Sequence, residues 1–299
     1  MMPPAFQLTI PAMAVAPGED RTYCYYFRTS NTDELSIQRW TSHMAAGIHD
    51  IVLYLTPTPQ MPPGTMNSTG CVIAKSGGGP AWSYAAQTTD AEVRLPGDDG
   101  EGNPLGQIVK AEQPGFLQIH VRNTTASTLH PDVALSAYAY PADVQVTLAA
   151  PFVTLMLNLN PADLTNKLPM VTPGSPTSPA MGTVGGNCAI PPDPGGKPVQ
   201  FFGITTYTHK QGVHTSVMDG ASKVFEGTSW EHPGTTSSPP FTTFQSGTLS
   251  YQCAYSNPNA YTIISGDDVA MQEMCMAIGY FFPAPSSAGH FCVDSTMLY

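Results

Sequence analysis

The chain never sustains a helical period for long. It is divided instead into short apolar or alternating runs closed by turn-forming residues: Thr22 to Phe27, Ile48 to Leu55, Gly115 to Val121, Val133 to Tyr140, Val144 to Leu148, Val199 to Tyr207 and Ile278 to Phe282. Val, Ile, Tyr and Phe recur in them, and strand-length runs between turn signals are the pattern of a β-sandwich. Composition carries the same message, since 27 Gly and 30 Pro in 299 residues supply many turns, and only 11% of residues are charged. The Pro/Gly/Ser/Thr-rich stretch from Pro161 to Pro179 reads as a long loop, because patterned sequence resumes on both sides. Asp267 to Met276 reads as a helical turn.

A chain of 299 residues is long enough for two ordinary domains. The boundary is expected near residues 140 to 148, giving domains 1–145 and 146–299, with no internal repeat visible by letter. A formal charge of −11 with only 11 Lys and Arg excludes a nucleic-acid or anionic-membrane partner, because phosphate binding needs a basic surface. No run approaches the ~20 apolar residues of a membrane helix, so the reading is of a soluble protein. The N-terminus has no charged and apolar signal-peptide pattern, and FQLTIP (Phe6 to Pro11) already reads as a strand; any signal is expected to have been removed.

Six cysteines, Cys24, Cys71, Cys188, Cys253, Cys275 and Cys292, contain no CxxC pair. That disfavours zinc-ribbon and thioredoxin readings. Two lie in the first half and four in the second, so each half can close its own bridges, as suits an oxidising compartment. A secreted or periplasmic protein is the expectation.

Candidate ligands come from strand positions. His120 ends LQIH and shares a strand face with Gln118, while His49 begins HDIVLYL. Two imidazoles meeting at one point would make a copper or zinc site. In ITTYTHKQG, Tyr207 and His209 are two apart and project from one strand face. Met274 lies in QEMC, and a thioether is a soft ligand that suits copper better than zinc. Taken singly, any of these residues is also an ordinary core or strand residue.

Their order along the chain narrows the choice. FQLTIPAMAVAPGEDRTYC, HDIVLYL, AWSYAA followed by RLPG, and GFLQIH, then GNCAIPP, FFGITTYTHKQG, LSYQC and QEMC, resemble in sequence order the catalytic core of the copper type II, ascorbate-dependent monooxygenases, the family of peptidylglycine α-hydroxylating monooxygenase and dopamine β-monooxygenase. The resemblance spans nearly the whole chain. It implies two tandem antiparallel jelly-roll-like β-sandwich domains, with two copper sites facing each other across a solvent-filled cleft. Where the family has an adjacent His-His pair and a later His at its electron-donor copper, this chain has His49, Asp50 and His120. Where the family has His-Thr-His and Met at its oxygen-binding copper, this chain has Tyr207, Thr208, His209 and Met274.

Asp50 and Tyr207 are departures from the family pattern. Asp50 either binds through its carboxylate, which favours Cu(II) over Cu(I), or turns away as a solvated acid. Tyr207 either binds as phenolate or is a plain strand aromatic. His43 and His214 are candidate replacement ligands. The family's carboxylate-anchoring Arg and the polar residues after Met-Cys are replaced by Thr205, Met276 and Ile278, so an apolar substrate is expected rather than a peptide C-terminus. The resemblance also implies the bridges Cys253–Cys275 and Cys188–Cys292, with Cys24–Cys71 in the first half. The expected function is hydroxylation of a small, fairly apolar substrate by O2, with two copper ions and ascorbate as reductant. The alternative is a secreted copper- or ligand-binding protein that has lost turnover on the same scaffold.

Overall fold

The computed structural model describes residues 3–68, 81–160, 162–193, 195–266, 268–269, 271–286 and 289–298. All its regular elements are strands. The first half contributes β1 (Phe6–Ile10), β2 (Asp20–Arg28), β3 (Leu35–Met44), β4 (Ile48–Leu55), β5 (Met66–Asn67), β6 (Ala81–Ala86), β7 (Asp90–Arg94), β8 (Leu105–Val109), β9 (Pro114–Arg122), β10 (Val133–Ala139) and β11 (Thr147–Leu148). The second contributes β12 (Ala150–Leu155), β13 (Leu159–Asn160), β14 (Asp163–Lys167), β15 (Ala180–Ala189), β16 (Gln200–Tyr207), β17 (Gly212–Asp219), β18 (Ser222–Gly227), β19 (Thr248–Asn257), β20 (Met276–Phe282), β21 (His290–Val293) and β22 (Thr296–Leu298). The chain divides into two compact units, Met1–Ala150 with Ser286–Ala288, and Pro151–Pro285 with Gly289–Tyr299.

In the first unit one sheet runs β1-β10-β3-β8-β11, with β7 also on β3, and the other runs β5-β2-β9-β4-β6. Thus β1 pairs with β10, β2 with β9, β3 with β8, and β4 with β6. That nesting is a long antiparallel hairpin rolled into two sheets, the jelly roll. The second unit repeats the winding, with sheets β16-β20-β12-β21-β22 and β15-β19-β17-β18. Here β12 pairs with β20, β15 with β19 and β17 with β18, and an isolated bridge from Phe201 to Thr242 stands where β8 lies in the first unit. Among the described strand pairings, β11 with β8 and β12 with β21 are short parallel ones, and the other registered pairs are antiparallel.

Alternation explains which face each strand buries. Leu117, Ile119 and Val121 of β9 and Ile51, Leu53 and Leu55 of β4 enter the first core with Ile37 and Trp40 of β3. Their neighbours Gln118, His120, Asp50 and Val52 therefore face the opposite side of the β9–β4 pair. Each core Leu or Ile so buried contributes roughly 1.5–3 kcal/mol against chain entropy. Trp40 hydrogen-bonds Gln107 Oε1 at 2.7 Å, so its indole N–H is satisfied inside. Gly115 of β9 cannot carry a side chain, because a Cβ there would lie 2.5 Å from Tyr54 O and 2.8 Å from the Phe27 ring. Phe152, Phe201 and Phe244 pack edge to face in the second core.

Some sequence expectations are corrected. The stretch from Pro161 to Pro179 contains β14, which pairs with β13, and Val171 bridges Ile263. Only Thr147–Leu148 of the Val144 to Leu148 run is strand, because Val144 N–H closes a turn on Pro141 O. Within the described part of Asp267 to Met276, a single turn forms, closed by Gln272 N–H on Asp268 O. Disulfides join Cys188 to Cys292 and Cys253 to Cys275. Cys24 is buried in β2, and its expected partner Cys71 lies outside the described residues. Among the described residues no helix is long and apolar enough to cross a membrane.

Candidate metal centres

The first cluster grows from a slip in strand register. Ile48 of β4 lies opposite Val121 of β9, yet Asp50 lies opposite His120, so His49 is the extra residue of a bulge. In a regular strand, successive side chains point to opposite faces. The bulge re-aims one of them, and both His49 and Asp50 reach His120. Asp50 Oδ2 accepts from His49 Nδ1 at 3.0 Å and from His120 Nδ1 at 3.1 Å. The two imidazole centroids are 5.0 Å apart. One ligand atom from each of the three residues lies within 4.8 Å of the others, which is a spacing that fits one metal ion. Asp50 is thus buried although it lies on the face away from the core, only 6% exposed, and is not a solvated turn acid.

A fourth side chain belongs here that the sequence reading missed. Asp20, the first residue of β2, lies two positions from Thr22, which is opposite His120. Its Oδ1 accepts from His120 Nε2 at 2.8 Å. Both ring nitrogens of His120 therefore point at carboxylates. Burial works to lower the His120 pKa, but the hydrogen bonds to Asp20 and Asp50 outweigh it and raise it to about 9. Burial likewise works to raise the Asp50 pKa, and the hydrogen bonds from His120 and His49 hold it at about 2 instead. A cation entering the cluster takes the place of the protons between Asp50 and the rings. Two imidazoles and one carboxylate fit a divalent ion such as Cu(II) or Zn(II).

The second group gathers at the end of β16. Tyr207 and His209 lie with ring centroids 5.6 Å apart and nearly perpendicular. His209 donates Nδ1–H to Gln272 O at 2.9 Å, which makes Nε2 the lone-pair nitrogen of the neutral ring. Tyr207 lies opposite Met276 on β20, two residues past Met274. Met274 is buried, and its carbonyl accepts from Tyr255 OH at 2.6 Å. Thr205 lies opposite Ile278, so Thr205, Tyr207, Met276 and Ile278 share a face of the pair.

Glu273, fully buried, ties these pieces together. Its Oε2 accepts from His209 N–H at 2.8 Å and its Oε1 from Gln211 N–H at 2.7 Å. Burial pushes its carboxyl up to about 7, in spite of those donors. The sequence signal was an acid directly before Met274 in QEMC. For Asp20 the signal was an acid opening a strand, which becomes specific only when the register with β9 is known. His43 and His214 are not part of the first cluster: they pair with Asp90 at 2.7 Å and with Glu226 at 2.8 Å, both at exposed positions.

The fold and first cluster define a tandem jelly-roll protein with a His–Asp–His cluster in its first unit whose spacing could hold a metal ion. No protein-family model matches the chain, and no curated protein matches it either. Among solved structures it is similar to the cowpea mosaic virus top component, an empty virus particle, at 11% identity, TM-score 0.34, over 98% of this chain and 93% of that one. It is also similar to the PBSX exported protein XepA, at 8% identity, TM-score 0.21, over 92% and 85%. Likenesses this weak carry no argument about activity.

Proposed function

We propose that this is a secreted copper-dependent monooxygenase that hydroxylates a small, fairly apolar substrate with O2 and a reductant such as ascorbate. One observation carries the reading: His49, Asp50 and His120, singled out by the resemblance, converge within 4.8 Å. Copper held there by His49, Asp50 and His120 would supply an electron, and copper held by His209, Met274 and Tyr207 would activate dioxygen. The chain's own residues prepare both places. Asp50 offers a buried anionic oxygen and aims two imidazoles at it. Gln272 O fixes the tautomer of His209, and Glu273 ties its backbone to the segment that carries Met274. Met276 and Ile278 present apolar surface beside Tyr207, with no cation among those facing residues to anchor a carboxylate. The disulfides fit an oxidising compartment.

Asp50 also favours a second reading, a secreted divalent-metal-binding protein without turnover, because a hard anionic oxygen in a three-ligand set stabilises Cu(II) over Cu(I). Copper titration followed by oxygen uptake with ascorbate separates the two. The enzyme reading expects two copper equivalents and oxygen consumption that is lost in both His120→Ala and His209→Ala. Copper binding with no ascorbate-dependent oxygen uptake under any substrate-like additive supports the second reading. A wild-type protein that takes up no copper at micromolar metal defeats both.

A further inference from the structure

Resting on the metal-binding reading of the first cluster, we infer that Asp20 is its positioning residue: the carboxylate holds the Nε2–H of His120 and so aims Nδ1 at Asp50 and His49. Imidazole offers two nitrogens to a metal, and a ligating histidine is held to one of them by what its other N–H meets. Here that partner comes from a different strand and at short range, 2.8 Å from Asp20 Oδ1 to His120 Nε2.

The second oxygen of Asp20 forms an ion pair with Arg122 Nε at 3.8 Å, which leaves Oδ1 to His120. Its side chain is 30% exposed, so it was not carried inward by packing. His120, by contrast, is 5% exposed at the side chain. The exposed His43–Asp90 and His214–Glu226 pairs have no such buried ring to orient.

The test uses Zn(II), which is diamagnetic and redox-silent, on the whole chain with its disulfides intact. Competition against a chromophoric chelator gives the zinc affinity, and the step lost in His120→Ala is the first centre's. Asp20→Asn, nearly isosteric, is expected to weaken that step by about ten- to a hundredfold. Asp90→Asn, which removes the same charge from the exposed His43 pair, is expected to leave it unchanged. Nitrogen chemical shifts of the zinc-loaded wild type are expected to show His120 bound through Nδ1 and protonated at Nε2, and those of Asp20→Ala to show a second population bound through Nε2 and protonated at Nδ1. Zinc binding by Asp20→Asn and Asp20→Ala equal to wild type, with His120→Ala inactive in binding, would make Asp20 a bystander at a real centre. A wild type that binds neither zinc nor copper through His120 would overturn the centre and this inference together. Should Asp20→Ala fail to fold, the Asp20→Asn affinity decides.

Discussion

Asp50 decides what the first centre can hold, because both imidazoles point at one of its oxygens. In chelator, where no metal competes, the cluster sets a pH window for stability. His120 titrates higher in the fold, at about 9, than its ordinary 6.5, so its contribution is complete below 6.5 and is lost as pH rises through about 9. Asp50 titrates lower in the fold, at about 2, than its ordinary 3.8, so its contribution is complete above 3.8 and is lost as pH falls through about 2. Denaturation midpoints measured across pH are expected to plateau between about 4 and 6.5 from these two groups, and Asp50→Asn is expected to flatten both limbs. Asp50→His would give the cluster three imidazoles and is expected to raise the copper reduction potential, which voltammetry of the loaded protein would read; an unchanged potential would place copper elsewhere. His49 and His120 were legible from their strand positions and Asp50 only from the resemblance, while the convergence of adjacent His49 and Asp50 on His120 was not legible, because it depends on the bulge. Asp20 was not legible either, since an acid after Gly and Glu in APGED looks like a turn until the β2–β9 register sets it beside His120.

Elements were read best where apolar residues alternate without interruption. β4 and β9 were recognised for that reason. β3, LSIQRWTSHM, was passed over because Gln38, Arg39 and Ser42 break its apolar pattern, although Trp40 is fully buried. β15, AMGTVGGNCA, carries three glycines and alternates half-buried with exposed residues, so it offers little apolar signal; its register with β19 holds it. Disulfides secure this glycine-rich element and the Met274 segment by different loop lengths. Cys253–Cys275 spans 22 residues and Cys188–Cys292 spans 104. In the chain-entropy model their removal should cost about 3 and about 5 kcal/mol respectively. Cys-to-Ala pairs compared by chemical denaturation would check the ranking, and equal losses would show that strain or unfolded-state structure dominates.

At the scale of the molecule, the same winding occurs twice with no repeat visible in the letters, because a jelly roll is specified by which strands pair and only loosely by residue identity. The first unit carries its own core and its own His–Asp–His cluster. A chain of residues 1–150 is therefore expected to fold and bind one zinc equivalent, read by near-ultraviolet circular dichroism and chelator competition. Failure to fold would show that its core needs the rest of the chain. The register slip of β4 has a counterpart: Gly212 lies opposite Tyr255 and His214 opposite Ala254, leaving Val213 as the extra residue of β17. Val213, His214 and Ala254 thus occupy the places of His49, Asp50 and His120. A backbone slip that forms without those side chains does not depend on them. It should then accept that chemistry by transplantation. The triple substitution Val213→His, His214→Asp and Ala254→His is expected to add one zinc equivalent to the protein, held more weakly than the first because Val213 is 41% exposed, and an unchanged zinc stoichiometry would show that the slip by itself is not enough to template a site.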